Sequence, residues 1–374
     1  MKNVGIIHPW MPQYRKGFFE ELSRILLENE ISLDIFYGET PLEWAARNDS
    51  LTPDEMVRLP TKFFGVLGRN LSYKRLDSVK DRGKFDLLIL EQAIRNLETY
   101  ALLVPPKSFA KLGFWGHGRT YTAPKSRFEE RLKEKLTLRA DWFFGYTHGG
   151  VQTMVDKGFP SNRTTVVQNS IDTASLRRDL DDLSELDVAE FRKSLDLSEN
   201  TFVYIGGIDE AKRIPFLLDA AHELHSRHES FRLVLVGDGS MSEVVRDSAT
   251  KFPWIRYLGN QFGTQKALAL KASKALLIPG RVGLIAVDSL ASGTPIVTTD
   301  WPFHAPEFEY LEPGTTAVVS RDDLGAFCAA VSGLIDDPSV ADRMSENCLS
   351  ESKGFTTELM AARFATGIEK ALMG

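Results

Sequence analysis

Three glycine-rich segments carry the residue types best suited to chemistry. Tyr204-Ile205-Gly206-Gly207 precedes Lys212-Arg213, Leu235-Val236-Gly237-Asp238-Gly239-Ser240 runs into a helical pattern, and Ile278-Pro279-Gly280-Arg281-Val282-Gly283-Leu284 runs into another. Glycine lets backbone come close to a ligand, and amides at a helix start attract phosphate. Lys212 and Arg213 would set positive charge against a diphosphate, each charge-assisted hydrogen bond contributing about 1.5–3 kcal/mol. One such turn occurs in many α/β domains; three in order are a signal. In the first half, His8-Pro9 and Trp115-Gly116-His117-Gly118 each follow an apolar run. Both histidines read either as loop residues satisfied by backbone or as groups beside a substrate.

The elements that must position these residues alternate along the chain. Val4–Ile7, Ser32–Tyr37, Phe85–Leu90, Ala110–Trp115, Trp142–Tyr146 and Thr165–Gln168 read as strands, with helical patterns at Gly17–Leu27, Arg127–Arg139 and Gly149–Lys157. The pattern restarts at Phe202–Ile205 and continues through strands Arg232–Val236, Ile255–Leu258 and Lys274–Ile278, each followed by a helical stretch, then strands Pro295–Thr298 and Ala317–Val319 with helices to the end. Strands separated by helix-length segments call for parallel sheets with crossover helices, whose ligands lie at the carboxyl ends of the strands. Two doubly wound α/β domains are expected, 1–172 and 173–354, with a helix at about 355–374 packing back on the first. The acidic, polar stretch 173–200 is read as the linker and the first helix of the second domain.

The chain has 374 residues, a net charge of −6, 43% hydrophobic and 26% charged residues, the profile of a soluble globular protein large enough for two domains. No apolar run approaches the roughly 18–20 residues needed to span a bilayer, and the start, Met1–Ile7, is too short for a secretory signal. Cys328 and Cys348 lie in helical patterns far from any histidine cluster, which argues against disulfides and zinc and fits a reducing cytoplasm. Residues 1–170 hold 25 Lys and Arg against 20 Asp and Glu, and the remainder 20 against 31. The basic excess peaks at 58–84, with eight basic and two acidic residues interleaved with Phe63, Phe64, Leu67, Leu71 and Tyr73. That segment reads either as a solvated surface over core aromatics or as a contact with an anionic membrane or a phosphate-bearing acceptor. An acidic chain with no reader motif gives no reason to expect nucleic acid.

In order, these motifs resemble the retaining glycosyltransferases of GT-B architecture, family four. The family's G-R-L-x-x-x-K is matched by Gly206–Lys212, its V-G-D-G-P turn by Val236–Ser240, and its F-L-G strand by Tyr257-Leu258-Gly259. The signature E-G-F-G-L-x-x-x-E-A-M-A-x-G-x-P falls on Gly280–Pro295, the following P-E on Pro306-Glu307, and the N-x-x-D on Asn169–Asp172. Two positions depart: Gly280 stands where the family has its first glutamate, and Gly207 where it has a phosphate-binding arginine.

The resemblance implies two Rossmann-like domains facing across a cleft. The second would bind a nucleotide sugar through Gly206, Gly207, Lys212, Arg213, Gly237, Asp238, Gly239, Gly280, Arg281, Val282, Gly283, Leu284 and Asp288, with Asp288 on the ribose. The first would offer His8 and Gly17 to the acceptor and His117 to the transferred sugar. The implied reaction is metal-free front-face transfer with retention to a saccharide or lipid-linked acceptor, with Lys212 stabilising the departing diphosphate and no cofactor. Asp181-Asp182 reads as linker surface charge, so no D-x-D metal site is expected. Two other readings stay open: a nucleotide-sugar-binding scaffold without turnover, and a sugar-nucleotide epimerase on the same architecture.

Overall fold

Val4, Ile6 and Ile7 are all buried. A strand apolar on both faces belongs in the middle of a parallel sheet covered by helices. The computed structural model describes residues 1–41, 50–66, 69–121 and 127–374, and places this strand, β1 (Lys2–His8), in the interior of a seven-stranded sheet, paired on both sides. With β2 (Ile31–Tyr37), β3 (Val57–Arg58), β6 (Phe85–Glu91), β7 (Phe109–Gly116), β8 (Trp142–Gly145) and β9 (Thr164–Val166), the order is β3-β2-β1-β6-β7-β8-β9, parallel throughout. A second sheet of β10 (Thr201–Ile205), β11 (Arg232–Val236), β12 (Ile255–Tyr257), β13 (Leu276–Leu277), β14 (Ile296–Thr299) and β15 (Ala317–Ser320) has order β12-β11-β10-β13-β14-β15 and is also parallel.

The chain divides into two units, Met1–Ile171 with Thr357–Gly374, and Asp172–Thr356. In the first, the helix Lys16–Glu28 buries Phe18, Phe19, Leu22 and Leu26, each side chain contributing about 1.5–3 kcal/mol of burial. The C-terminal helix Thr357–Met373 lays Phe364 against Phe18, Trp115 and Phe144, with ring centroids at 5.6, 5.0 and 4.4 Å.

Two segments differ from the sequence reading. The stretch read as the linker and the first helix of the second domain forms two helices of the second unit, Thr173–Asp181 and Glu185–Ser194. Asp172 caps the first by accepting from the Ser175 amide at 2.9 Å, and Ser184 and Asp187 form a capping box on the second. Caps rather than an apolar stripe start these helices, and few of their residues are buried, so their sequence reads as polar chain. The basic segment contains an antiparallel ribbon outside the central sheet, β4 (Thr61–Val66) and β5 (Arg69–Lys74). Of the aromatic and apolar residues named there, Leu67 lies outside the described residues.

Candidate functional site

In the second unit the three glycine turns pack on one another. Tyr204, fully buried in β10, donates from its hydroxyl to the Gly207 carbonyl at 2.5 Å and fixes the Gly206-Gly207 turn. Gly237 has φ +137°, and a β-carbon there would fall 1.8 Å from the Gly206 carbonyl oxygen; one on Gly239 would fall 2.4 Å from that of Ile208. Glycine is required at these positions first by loop-on-loop contact. Asp238 is exposed and spends Oδ1 on the Gly239 amide (2.8 Å) and the Ser242 hydroxyl (2.5 Å), bonds that hold its carboxyl below the usual range.

The turn after β10 is tied to the loop after β13 at both its cations. Lys212 Nζ donates to the Arg281 carbonyl at 2.5 Å, and the Arg281 amide donates to the Ala211 carbonyl at 3.0 Å. Arg213, at φ +57°, donates Nη1 to the Pro279 carbonyl at 3.1 Å and is ion-paired with Asp322. The sequence suggested two cations for a diphosphate; Arg213 spends Nη1 on the Pro279 carbonyl and on Asp322, so one of its nitrogens ties the turn to neighbouring loops. Arg281 donates Nε to the Phe303 carbonyl at 3.0 Å, and Asp209 and Glu307 are the acids whose charge acts on it.

His304 completes the frame. Its Nδ1 accepts from the Val282 amide at 3.1 Å while Nε2 donates to the Thr299 carbonyl at 2.8 Å. Burial, and then the charges of Lys212 and Arg281, push its pKa down, so it stays neutral in the one tautomer those bonds require. Beyond it, Gly283 and Leu284 lead into the helix Ile285–Ser292, and among the described residues their amides meet no acceptor. A helix start with open amides beside Lys212 is suited to phosphate. Asp288, buried in that helix's first turn, sits 2.7 Å from Lys266 Nζ on the helix Gly263–Lys271.

In the first unit, His8 ends β1 with Nδ1 2.5 Å from the Trp10 carbonyl, packed on Phe19 and Trp115 at 5.5 and 5.4 Å. Burial, then the charge of Arg15, drives its pKa to about 3. A neutral ring facing a carbonyl carries its proton on Nδ1. Arg15 is itself buried among Trp115, Tyr14, Tyr146 and Phe18, at 5.0–5.8 Å from the ring centroids. His117, exposed after β7, lies 4.7 Å from the Tyr146 ring, which in turn lies 5.7 Å from Trp115, so an aromatic row joins the two histidines. Gly118 fixes that loop: at φ +72°, a β-carbon would fall 2.0 Å from the Gly150 carbonyl oxygen. Gly17 is exposed on the first turn of its helix, and a β-carbon there meets nothing within 4 Å.

Sequence reading missed three residues here and named Tyr204 only as part of a glycine-rich segment. Glu91 ends β6, the strand between those of His8 and His117, and burial pushes its carboxyl up while Asn96 donates to it at 2.7 Å. Glu91, Lys266 and His304 carry no motif of their own; among them only the position of Glu91 at a strand end was visible.

Residues 199–337 match the family model described as glycosyl transferases group 1. Glycogen synthase of Mycobacterium tuberculosis is 27% identical over 148 residues, covering 38% of this chain and 35% of that protein. Phosphatidyl-myo-inositol mannosyltransferase of Mycolicibacterium smegmatis is 25% identical over 142 residues, 37% of this chain and 36% of that protein. The match thus spans about a third of these relatives. Among solved structures, Anabaena HepE in complex with UDP superposes with a TM-score of 0.69 over 99% of this chain and 100% of the other, at 14% identity. It has also been solved with UDP-glucose.

Proposed function

From the premise that this chain has the GT-B fold and carries a glycosyl transferases group 1 domain, we propose that it transfers a sugar from a nucleotide-sugar donor to a saccharide or lipid-linked acceptor. The observation that carries this reading is the frame of the second unit, where Lys212 bonds the Arg281 carbonyl of the loop after β13, and that loop continues through the open amides of Gly283 and Leu284 into the helix that holds Asp288. Departure of a nucleoside diphosphate builds negative charge, and a cation with pre-oriented amides stabilises that charge without reorganising. Lys212 is the catalytic group in this scheme and needs no metal or other cofactor. Transfer occurs on the front face with retention, His117 positions the sugar, and neutral His8 orients the acceptor.

The reaction belongs in the cytoplasm, at the inner face of the membrane. Among the described residues no single helix is long and apolar enough to cross a membrane. Support for peripheral contact comes from the β4–β5 ribbon. Ser72 and Lys74 turn toward the body, bonding Asn96 and Glu98. The alternate residues Lys62, Phe64, Leu71 and Tyr73 therefore share the other face. There Lys62, Phe64, Tyr73, Arg75, Leu76 and Asp77 line an open cavity of about 440 Å³, a mixture suited to anionic headgroups.

Gly280, which supplies no acid to a donor sugar, favours a second reading, a binding protein without turnover. Incubation with UDP-, GDP- and dTDP-sugars and a saccharide acceptor separates the two. Release of nucleoside diphosphate coupled to product is expected. Donor binding without release supports the second reading, and no binding of any donor overturns both.

A further inference from the structure

The pair Lys266–Asp288 is not explained by the loop contacts that build the frame. Its side chains are 21% and 10% exposed and its Nζ–Oδ1 distance is 2.7 Å. Burying two charges costs desolvation that their attraction does not reliably repay, so such a pair is weak evidence of a stabilising role. Its place suggests a different one. Asp288 stands in the first turn of the helix whose amides begin at Gly283, and aspartate reaches one methylene less far than the glutamate it replaces in the resemblance.

Among the described residues, no hydrogen bond to Asp288 Oδ2 is found, and the contact of Lys266 Nζ is the ion pair with Oδ1. A carboxylate oxygen is an acceptor only, and an ammonium is a donor only. Side by side they match a vicinal diol in which one hydroxyl donates and the other accepts. We propose that Lys266 and Asp288 together grip the ribose of the donor nucleotide: Asp288 Oδ2 accepts from one hydroxyl, and Lys266 Nζ donates to the other. Lys266 is then a donor-binding residue, its ammonium restoring the reach lost with the shorter acid. This rests on the donor-site reading of the second unit.

Calorimetry with UDP, 2′-deoxy-UDP and 3′-deoxy-UDP, and with the matching GDP set, tests it on wild type and Lys266→Met. Wild type should lose about tenfold in affinity when either hydroxyl is removed, the size of one charge-assisted hydrogen bond. Lys266→Met should bind the diphosphate about tenfold more weakly and lose its discrimination against one deoxy analogue. If Lys266→Met leaves Asp288 buried and uncompensated and the protein unfolds, the double variant Lys266→Met/Asp288→Ala removes both charges together with the acceptor, and it should lose discrimination against both analogues. Wild-type affinities for all three ligands in a folded variant overturn the inference. Failure of wild type to bind either diphosphate overturns the donor-site reading first, a distinct outcome.

Discussion

Gly280 lies so close to the Lys212 peptide that a β-carbon on it would fall 2.5 Å from the Lys212 carbonyl carbon and 2.6 Å from its oxygen. The position at which the resemblance has a glutamate therefore has no space for any side chain while the Ala211–Arg213 turn keeps its place. Gly280→Glu should not restore a family-like site. It should displace the turn and destabilise the protein by about 1–3 kcal/mol, the usual cost of overpacking. Urea unfolding measures the loss; a variant as stable as wild type that gains turnover with hexose donors would refute the packing account.

Lys212 is the cation that the proposed function sets against a diphosphate. Lys212→Ala should lower nucleoside diphosphate affinity by about tenfold or more, equivalent to at least one charge-assisted bond. Arg213→Ala acts by another route: it breaks the tie to Asp322 and Pro279, so it should lower the melting temperature as well as the affinity. Unchanged diphosphate binding in Lys212→Ala, measured by calorimetry, would displace it from the mechanism.

His8 gives the first unit a pH signature. An unfolded histidine titrates near 6.5, whereas in the fold His8 is held down to about 3. Between those values the unfolded chain binds the extra proton and the native state does not. The stability His8 contributes is therefore complete above pH 6.5 and is lost as pH falls toward 3. Glu91 has the opposite sign: its raised pKa means its contribution falls as pH rises through the carboxylate range. His8→Gln should remove about 1.4 kcal/mol per pH unit from the slope of unfolding free energy between pH 6 and 4. An identical slope in the variant would show that His8 titrates normally.

Membrane contact through the β4–β5 ribbon is testable without any substrate. Wild type should sediment with vesicles of phosphatidylglycerol and phosphatidylcholine, and less so with phosphatidylcholine alone or in high salt, where charge is screened. Phe64 is 41% exposed, so Phe64→Ser should leave the unfolding free energy within about 0.5 kcal/mol of wild type while reducing sedimentation. Equal sedimentation of wild type and Phe64→Ser would remove the ribbon from any membrane role.

Sequence alone determined the two parallel sheets and the order of the three glycine turns, because buried strands and strand-end loops are written in local composition: Val4–Ile7, Arg232–Val236 and the glycines that follow β10, β11 and β13 are contiguous signals. It also placed His8, His117, Lys212 and Asp288 at the ends or starts of elements. Tertiary structure decided what those residues touch. Arg213 meets Asp322, 109 positions away, Lys266 meets Asp288 from a neighbouring helix, and His304 spans Val282 and Thr299. None of these has a period or motif, since each depends on how loops from separate strands are brought together. At 173–194, where one helix and a linker were expected, a second helix was hidden for the converse reason: these helices are started by caps and lie half in solvent, so they lack the apolar stripe by which helices are read. At Gly280 both levels apply. The sequence showed that the acid was gone, and only the packing of Lys212 against that glycine gave the physical reason it cannot simply be put back.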